Sequence, residues 1–446
     1  MHDTQAPSTR VPAPPARVAA GLRRPARRPA AIPRRPWRGA AQSPMDRSVL
    51  WLYAATRVGV WLTAYCAGWL FAGDGSGRAA PSLLGRWQQW DWDHYLKIAE
   101  HGYFGGPPGS GGAPTADNRE AFFPGFPLLL RAVHAVLIPQ WTAAGLAISF
   151  VAGAVAVLAL ARIARLEAVT AGRPGAGSGD DAGRLEAVTP GRPGAGSGDD
   201  AGRHAVFYLL LSPCAVFLAA GYTEALFLAV ALPCWLAARQ GRWAAAGLLG
   251  CAACAVRVSG LFLAAALVVR FVTAGREARG SWWPAGWLVL PALPAAAYCW
   301  FLHARTGDWM DWKHAQERGW YRRFDSPWQA WGHTWHAAFS HTQSTPYALL
   351  FQFELAAMVV GLALLGLLLW RRRWAEAVYL ALTLWALGTS YWYMSVPRAS
   401  LLWWPLWTVA AGWTLRRPWL RTAYVAVAGP LATVLAVAFT SGRWAG

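Results

Sequence analysis

Apolar runs too long for a soluble core recur along the whole chain. Residues 48–71, 141–163, 204–220, 223–238, 243–256, 258–272, 282–303, 347–370, 374–390, 398–414 and 420–440 each read as a helix that can enter a bilayer. A hydrocarbon core about 30 Å thick is crossed by roughly 20 apolar residues. Inside it every backbone N–H and C=O must be satisfied internally, which leaves helices or a closed barrel. The period-two alternation of barrel strands is absent, and the Ala, Leu and Gly richness suits helix packing. The sequence therefore predicts an all-α polytopic membrane protein. Residues 122–138 are apolar too, but Arg131, His134 and two prolines interrupt them. Reading them as re-entrant or interfacial gives about eleven crossings.

The charges supply an orientation. Of 41 basic residues only Lys97 and Lys313 are lysine, and the net charge is +19. This balance reflects arginine in tails and turns between apolar runs, a membrane-topology signal; no nucleic-acid partner is expected. Ten arginines fall within residues 1–47, a Pro/Ala/Arg-rich head with no apolar period that predicts a disordered cytoplasmic tail. Met45 is an alternative start, and the first apolar run is too long for a cleavable signal peptide. Placing Arg239, Arg242, Arg270, Arg371 to Arg373, Arg416 and Arg417 in the cytoplasm satisfies the positive-inside rule. Residues 165–183 recur at 184–202 with one difference, Ala171 against Pro190. Two Gly/Pro-rich copies cannot bury a core, so 164–203 is expected to be a cytoplasmic linker without chemistry.

Two large polar segments, 72–121 and 304–346, then fall outside, with G-Y-T-E at 221–224, Arg257 and Arg398 beside them. The first contains W-D-W-D-H-Y-L-K-I-A-E-H-G-Y, Trp90–Tyr103, in a chain only 14% charged. On a helix Asp91, His94, Tyr95 and Ile98 share one side, with Trp87 and Trp90 nearby as interfacial anchors. Such a helix either presents a carboxylate to a groove between spans or merely balances nearby arginines. The six cysteines lie inside apolar runs and read as small buried residues. His333, His336 and His341 have no acid to complete a metal set, so neither metal nor cofactor is expected.

W-D-x-x-H-Y-L-x-I-A-x-x-G-Y, followed by A-F-F-P-G-F-P at 121–127, resembles the PIG-V-type mannosyltransferases. These are eukaryotic enzymes of glycolipid-anchor assembly with bacterial relatives. The resemblance continues through G-Y-T-E-A-L-F at 221–227, A-V-R-V-S-G-L at 255–261 and G-D-x-x-x-W-x-x-A-Q at 307–316, covering most of residues 48–414. Gly125 stands where a bulky residue is expected, and Ser259 where Asn is commoner.

The resemblance implies a GT-C-type bundle over 48–441, a polyprenyl-phosphate-linked sugar donor, and a glycan or glycolipid acceptor. It also implies an active site on the extracytoplasmic face of the plasma membrane, with the acid of the first outer loop mapping onto Asp91. An inverting transfer needs one general base for the acceptor hydroxyl and cations for the donor phosphate. Asp91 is the expected base, Asp93 the runner-up, and Glu224 an orienting acid. Arg257, Arg398, His94 and Lys97 are candidate phosphate partners. Tyr95, Tyr222, Asp308 and Gln316 are candidate substrate contacts, although Asp308, Asp311 and Gln316 also suit a structural network within the loop.

Three rivals stay open. A secondary transporter predicts inverted repeats and midplane ionisable groups, and neither is evident. A related transferase using polyprenyl-linked arabinose or glucose differs only in the sugar. A non-catalytic assembly protein has no need of Asp91 and Glu224.

Overall fold

The computed structural model describes residues 2, 44–70, 81–106, 117–171, 195–275 and 281–445. Most of the 1–47 head, residue 71, parts of the 72–121 segment (72–80 and 107–116) and most of the repeat (172–194) lie outside the described residues. The described chain is helical, with one isolated bridge between Phe324 and Ser390.

Sixteen α-helices follow in order. The first eight are α1 (Pro44–Leu70), α2 (Asp91–His101), α3 (Gly125–Val136), α4 (Trp141–Ala171), α5 (Ala195–Leu210), α6 (Thr223–Arg239), α7 (Trp243–Val256) and α8 (Ser259–Thr273). Then come α9 (Ala292–Thr306), α10 (Asp311–Trp320), α11 (Pro327–Phe339), α12 (Thr345–Trp370), α13 (Trp374–Gly388), the single turn α14 (Val396–Ala399), α15 (Trp404–Arg416) and α16 (Trp419–Thr440). Among the described residues four helices are long and apolar enough to cross a membrane: α4, α9 with its preceding 3₁₀ turn (Trp283–Thr306), α12 and α16. Shorter apolar helices, α3, α7, α8 and α13, accompany them. At 1.5 Å per residue α3 is only about 18 Å long, well short of a 30 Å core. Its length suits an interfacial position.

The surface of α1 shows why the bundle belongs in lipid. Trp51, Val58, Leu62, Tyr65 and Trp69 form one exposed stripe, while Val49, Tyr53, Ala64 and Ala67 are buried on the other side. In water such a stripe is an aggregation hazard, whereas in a bilayer it is the solvated face.

Both ends of the repeat segment are helical. The helix α4 runs to Ala171 and α5 starts at Ala195, so 164–171 and 195–203 belong to the bundle. Arg165 pairs with Asp199 at 3.2 Å across them. Residues 44–47 of the head likewise open α1, where Asp46 pairs with Arg162 at 3.1 Å.

Two close approaches shape the polar end. The indole of Trp92 is buried between Gly145 on α4 and Gly221 before α6; a Cβ on Gly221 would lie 2.6 Å from its ring. That wedge fastens α2 to the bundle. Gly125 starts α3 against the end of α7, where a Cβ would meet the Ala255 carbonyl oxygen at 2.6 Å and the Val256 nitrogen at 2.9 Å. The small residue at 125 thus brings the 121–127 segment against the break between α7 and α8 that carries Arg257. Gly125→Ala is expected to cost about 1–3 kcal/mol through backbone overpacking. Thermal unfolding in detergent reads this, and an unchanged midpoint would show that the contact yields freely.

Candidate active site

Four charged side chains from four distant segments meet at one end of the bundle. Asp91 opens α2, Glu224 lies in the first turn of α6, Arg257 sits in the break after α7, and Arg398 lies in α14. Arg398 joins the two acids: its Nη1 donates to Asp91 Oδ2 and its Nε to Glu224 Oε1, each at 2.7 Å. Arg257 Nη1 donates to the same Glu224 oxygen at 2.7 Å and to Thr223 Oγ1. The rings of Phe217 and Tyr222 lie under the Arg398 guanidinium, with centroids at 4.6 and 4.8 Å. Arg398 is therefore held by charge on one side and by aromatic faces on the other.

This network forms one wall of an open cavity of about 180 Å³. Asp91, Tyr95, Thr223, Arg257, Gln316 and Arg398 reach it, as do Phe122, Trp320 and Arg322. The aromatic wall is continuous, because Phe122 meets Tyr95, His94 and Trp320 at 4.9–5.3 Å. Exposure separates the cations. The Arg398 side chain is 7% exposed and committed to two acids, whereas Arg257 is 26% exposed at the rim.

The residues singled out from sequence divide cleanly. Asp91, Tyr95, Glu224, Arg257, Arg398 and Gln316 come together. Tyr222 is fully buried beneath Arg398, and its hydroxyl donates to the Gln89 carbonyl. His94 stacks on Phe122 at the edge of the aromatic wall. Burial outweighs the nearby Asp91 and pulls its pKa below the ordinary histidine value. Asp93 and Lys97 face away from the cavity, bonded to each other at 2.6 Å, with the Asp93 side chain 62% exposed against 12% for Asp91. Asp308 lies on the outside of the second loop beside His314. There the Met310 backbone N–H, and then His314, hold its carboxyl below the usual carboxylate range. Asp311 pairs with Arg318 at 3.3 Å, a bond within the loop.

Two contributors escape sequence reasoning. Arg322 reaches the cavity from the 304–346 segment, and the one hydrogen bond of its guanidinium among the described residues is to the Met394 carbonyl at 3.4 Å. Burial, and then the neighbouring Arg257, push its pKa below the ordinary arginine value. Among the described residues Arg322 has no carboxylate at ion-pair distance, although Asp91 and Glu354 lie near enough to favour its charge. Glu354, buried in α12, accepts from the backbone N–H groups of Ser395 and Val396 at 2.7 and 2.8 Å. It holds the turn that aims Arg398. An acid inside the apolar run 347–370 was the available signal.

The backbone is bent where the charges emerge. Trp90, Tyr321 and Ser395 have φ of 50°, 53° and 64°, and they precede Asp91, Arg322 and the Arg398 turn. Left-handed conformations at non-glycine residues cost about 1–3 kcal/mol each and collect where a site over-determines its geometry.

No family model matches the chain, and no solved structure matches it. Three curated proteins do: GPI alpha-1,6-mannosyltransferase 2 of Cricetulus griseus, Mus musculus and Rattus norvegicus. Identity to the hamster protein is 31% over 191 residues, 41% of this chain and 31% of the relative. For the mouse protein it is 32% over 208 residues, 44% and 34%; for the rat protein 34% over 191 residues, 41% and 31%. The matched stretch spans about a third of the length of these relatives. Over some two fifths of its length, this chain shares a distant homology with GPI alpha-1,6-mannosyltransferase 2.

Proposed function

We propose that the chain is a membrane glycosyltransferase that moves a mannosyl residue from a polyprenyl-phosphate-mannose donor to a lipid-linked or cell-envelope glycan acceptor, with inversion. The site faces outward at the plasma membrane. The observation that carries the reading is the buried junction of Asp91 with Arg398, Glu224 and Arg257, opening on a cavity that Arg322 also lines. The distant homology to a mannosyltransferase points the same way.

The chemistry follows from the charges. A lipid-linked sugar phosphate is a diester with one negative charge. As the acceptor oxygen bonds to the anomeric carbon, the bond from that carbon to the phosphate oxygen breaks, and the departing phosphate gains a second negative charge. Arg322 and Arg257 are placed to meet that gain, and interactions that strengthen toward the transition state are the ones that raise turnover. The acceptor proton passes to Asp91, whose Oδ1 carries no hydrogen bond to a described residue while Oδ2 is held by Arg398. Arg398 then fixes the base, and Glu224 fixes Arg398. Tyr95, Phe122 and Trp320 offer apolar faces to a sugar ring, and Gln316 a polar edge.

The test is transfer of label from radiolabelled polyprenyl-phosphate-mannose in membranes containing the protein, beside arabinose and glucose donors. Label in a lipid or envelope glycan is expected from the mannose donor. Transfer from another donor alone would reassign the sugar, and no transfer from any donor would remove the transferase reading. Arg322→Gln is expected to raise the donor KM about tenfold, the loss of one charge-assisted phosphate contact. An unchanged KM would take Arg322 out of donor binding.

A further inference from the structure

The opposite end of the bundle carries a second charged cavity. The helix α6 carries Glu224 in its first turn and ends at Arg239, fifteen residues or about 22 Å away. Likewise α8 begins beside Arg257 and carries Arg270 in its last turn. Where these helices end, with the α12–α13 turn and the end of α15, a cavity of about 1040 Å³ opens. Six arginines and two glutamates line it.

The acids are spent on two of those arginines. Arg373 pairs with Glu167 at 2.6 Å and with Glu376 at 2.9 Å, and Arg239 lies 3.6 Å from Glu167. Arg270, Arg371, Arg372 and Arg416 have no carboxylate partner among the described residues. Capping of helix C-termini is the simpler account of such arginines. Their side chains do not do this here: the backbone N–H groups of Arg371 and Arg372 close the end of α12, none of the four guanidinium groups donates to a carbonyl among the described residues, and Arg270 Nε is buried with no hydrogen-bond partner. Trp374 and Trp413 line the same cavity and are about half exposed, as aromatic rings at the headgroup level are.

We propose that this cavity binds the phosphorylated headgroup of an anionic membrane lipid, on the face opposite the transferase site. Four guanidinium groups without an ion pair among the described residues match phosphate oxygens, the tryptophans match the glycerol and acyl boundary, and the depth along α6 matches the other leaflet. The inference rests on the membrane-embedded reading of the helices and is independent of sugar transfer.

The test uses the full-length protein in detergent, offered phosphatidylglycerol or phosphatidylcholine, with retained lipid counted by native mass spectrometry. The protein is expected to retain phosphatidylglycerol over phosphatidylcholine. Arg270→Gln/Arg371→Gln/Arg416→Gln is expected to lower that retention on the order of a hundredfold, about fivefold for each arginine removed. The exposed pair alone, Arg371→Gln/Arg416→Gln, guards against misfolding and is expected to lower it about twentyfold by the same arithmetic. Arg417→Gln/Arg421→Gln, at the same end but outside the cavity, is expected to leave it unchanged. Equal retention by the cavity variants, or equal loss in the control pair, overturns the site. Release of the lipid by millimolar inorganic phosphate would overturn the lipid as occupant in favour of a soluble phosphate.

Discussion

Asp91→Asn is expected to lower turnover about 10²–10⁴-fold while leaving the donor KM close to its original value. The substitution keeps size and polarity and can still accept from Arg398, so the buried network stays closed. It removes the atom that takes the acceptor proton. In free energy the loss is roughly 3–5 kcal/mol of transition-state stabilisation. Asp93→Asn is the control, since that carboxylate points away from the cavity and pairs with Lys97 at 2.6 Å. Its expected effect is less than about threefold, in line with an exposed ion pair worth at most about 1 kcal/mol. Initial rates against donor concentration in matched membranes decide the matter. Normal turnover in Asp91→Asn with loss in Asp93→Asn would put the base on the other side of α2.

Arg398→Gln is expected to abolish transfer and also to destabilise the protein by about 3–5 kcal/mol, because it leaves the buried Asp91 unpaired and Glu224 with Arg257 alone. Asp91 and Glu224 each accept from this one side chain, and the Glu224 side chain is 1% exposed. Adding Glu224→Gln to Arg398→Gln is expected to recover part of the stability and none of the activity. Arg398→Lys keeps the charge but cannot reach both acids from Nε and Nη1 in one plane, so it too should transfer poorly. Thermal unfolding and transfer rates on the same preparations separate the two effects. A wild-type midpoint for Arg398→Gln would mean that the acids find other partners and that the bridge is dispensable.

Much of the architecture was legible beforehand because hydropathy and helical period are local. The apolar runs at 141–163, 347–370 and 420–440 each contribute most of a long membrane-length helix. The i, i+3, i+4 pattern placed Asp91, Tyr95 and Ile98 on one side of α2, and all three are buried there. The repeat was less legible. Its composition reads as a linker from end to end, yet 195–202 is helical because α5 packs on α4 and pairs Asp199 with Arg165. Packing contacts override weak propensity, and composition alone does not report them.

Which charges would meet was not a local matter. The sequence by itself determined that this chain has membrane-length helices and an acidic, aromatic helix lying between two of its apolar runs, because each property is carried by a single contiguous segment. It also singled out Asp91, Glu224, Arg257 and Arg398 one at a time. Only the tertiary structure decided that Arg398 reaches across 307 residues to Asp91 and 174 to Glu224. The same packing brings Arg322 into the cavity, sets Glu354 behind the Arg398 turn, and turns Asp93, Lys97 and Asp308 outward. A buried charge is stable only beside its opposite, and its opposite is chosen by how helices pack rather than by spacing along the chain.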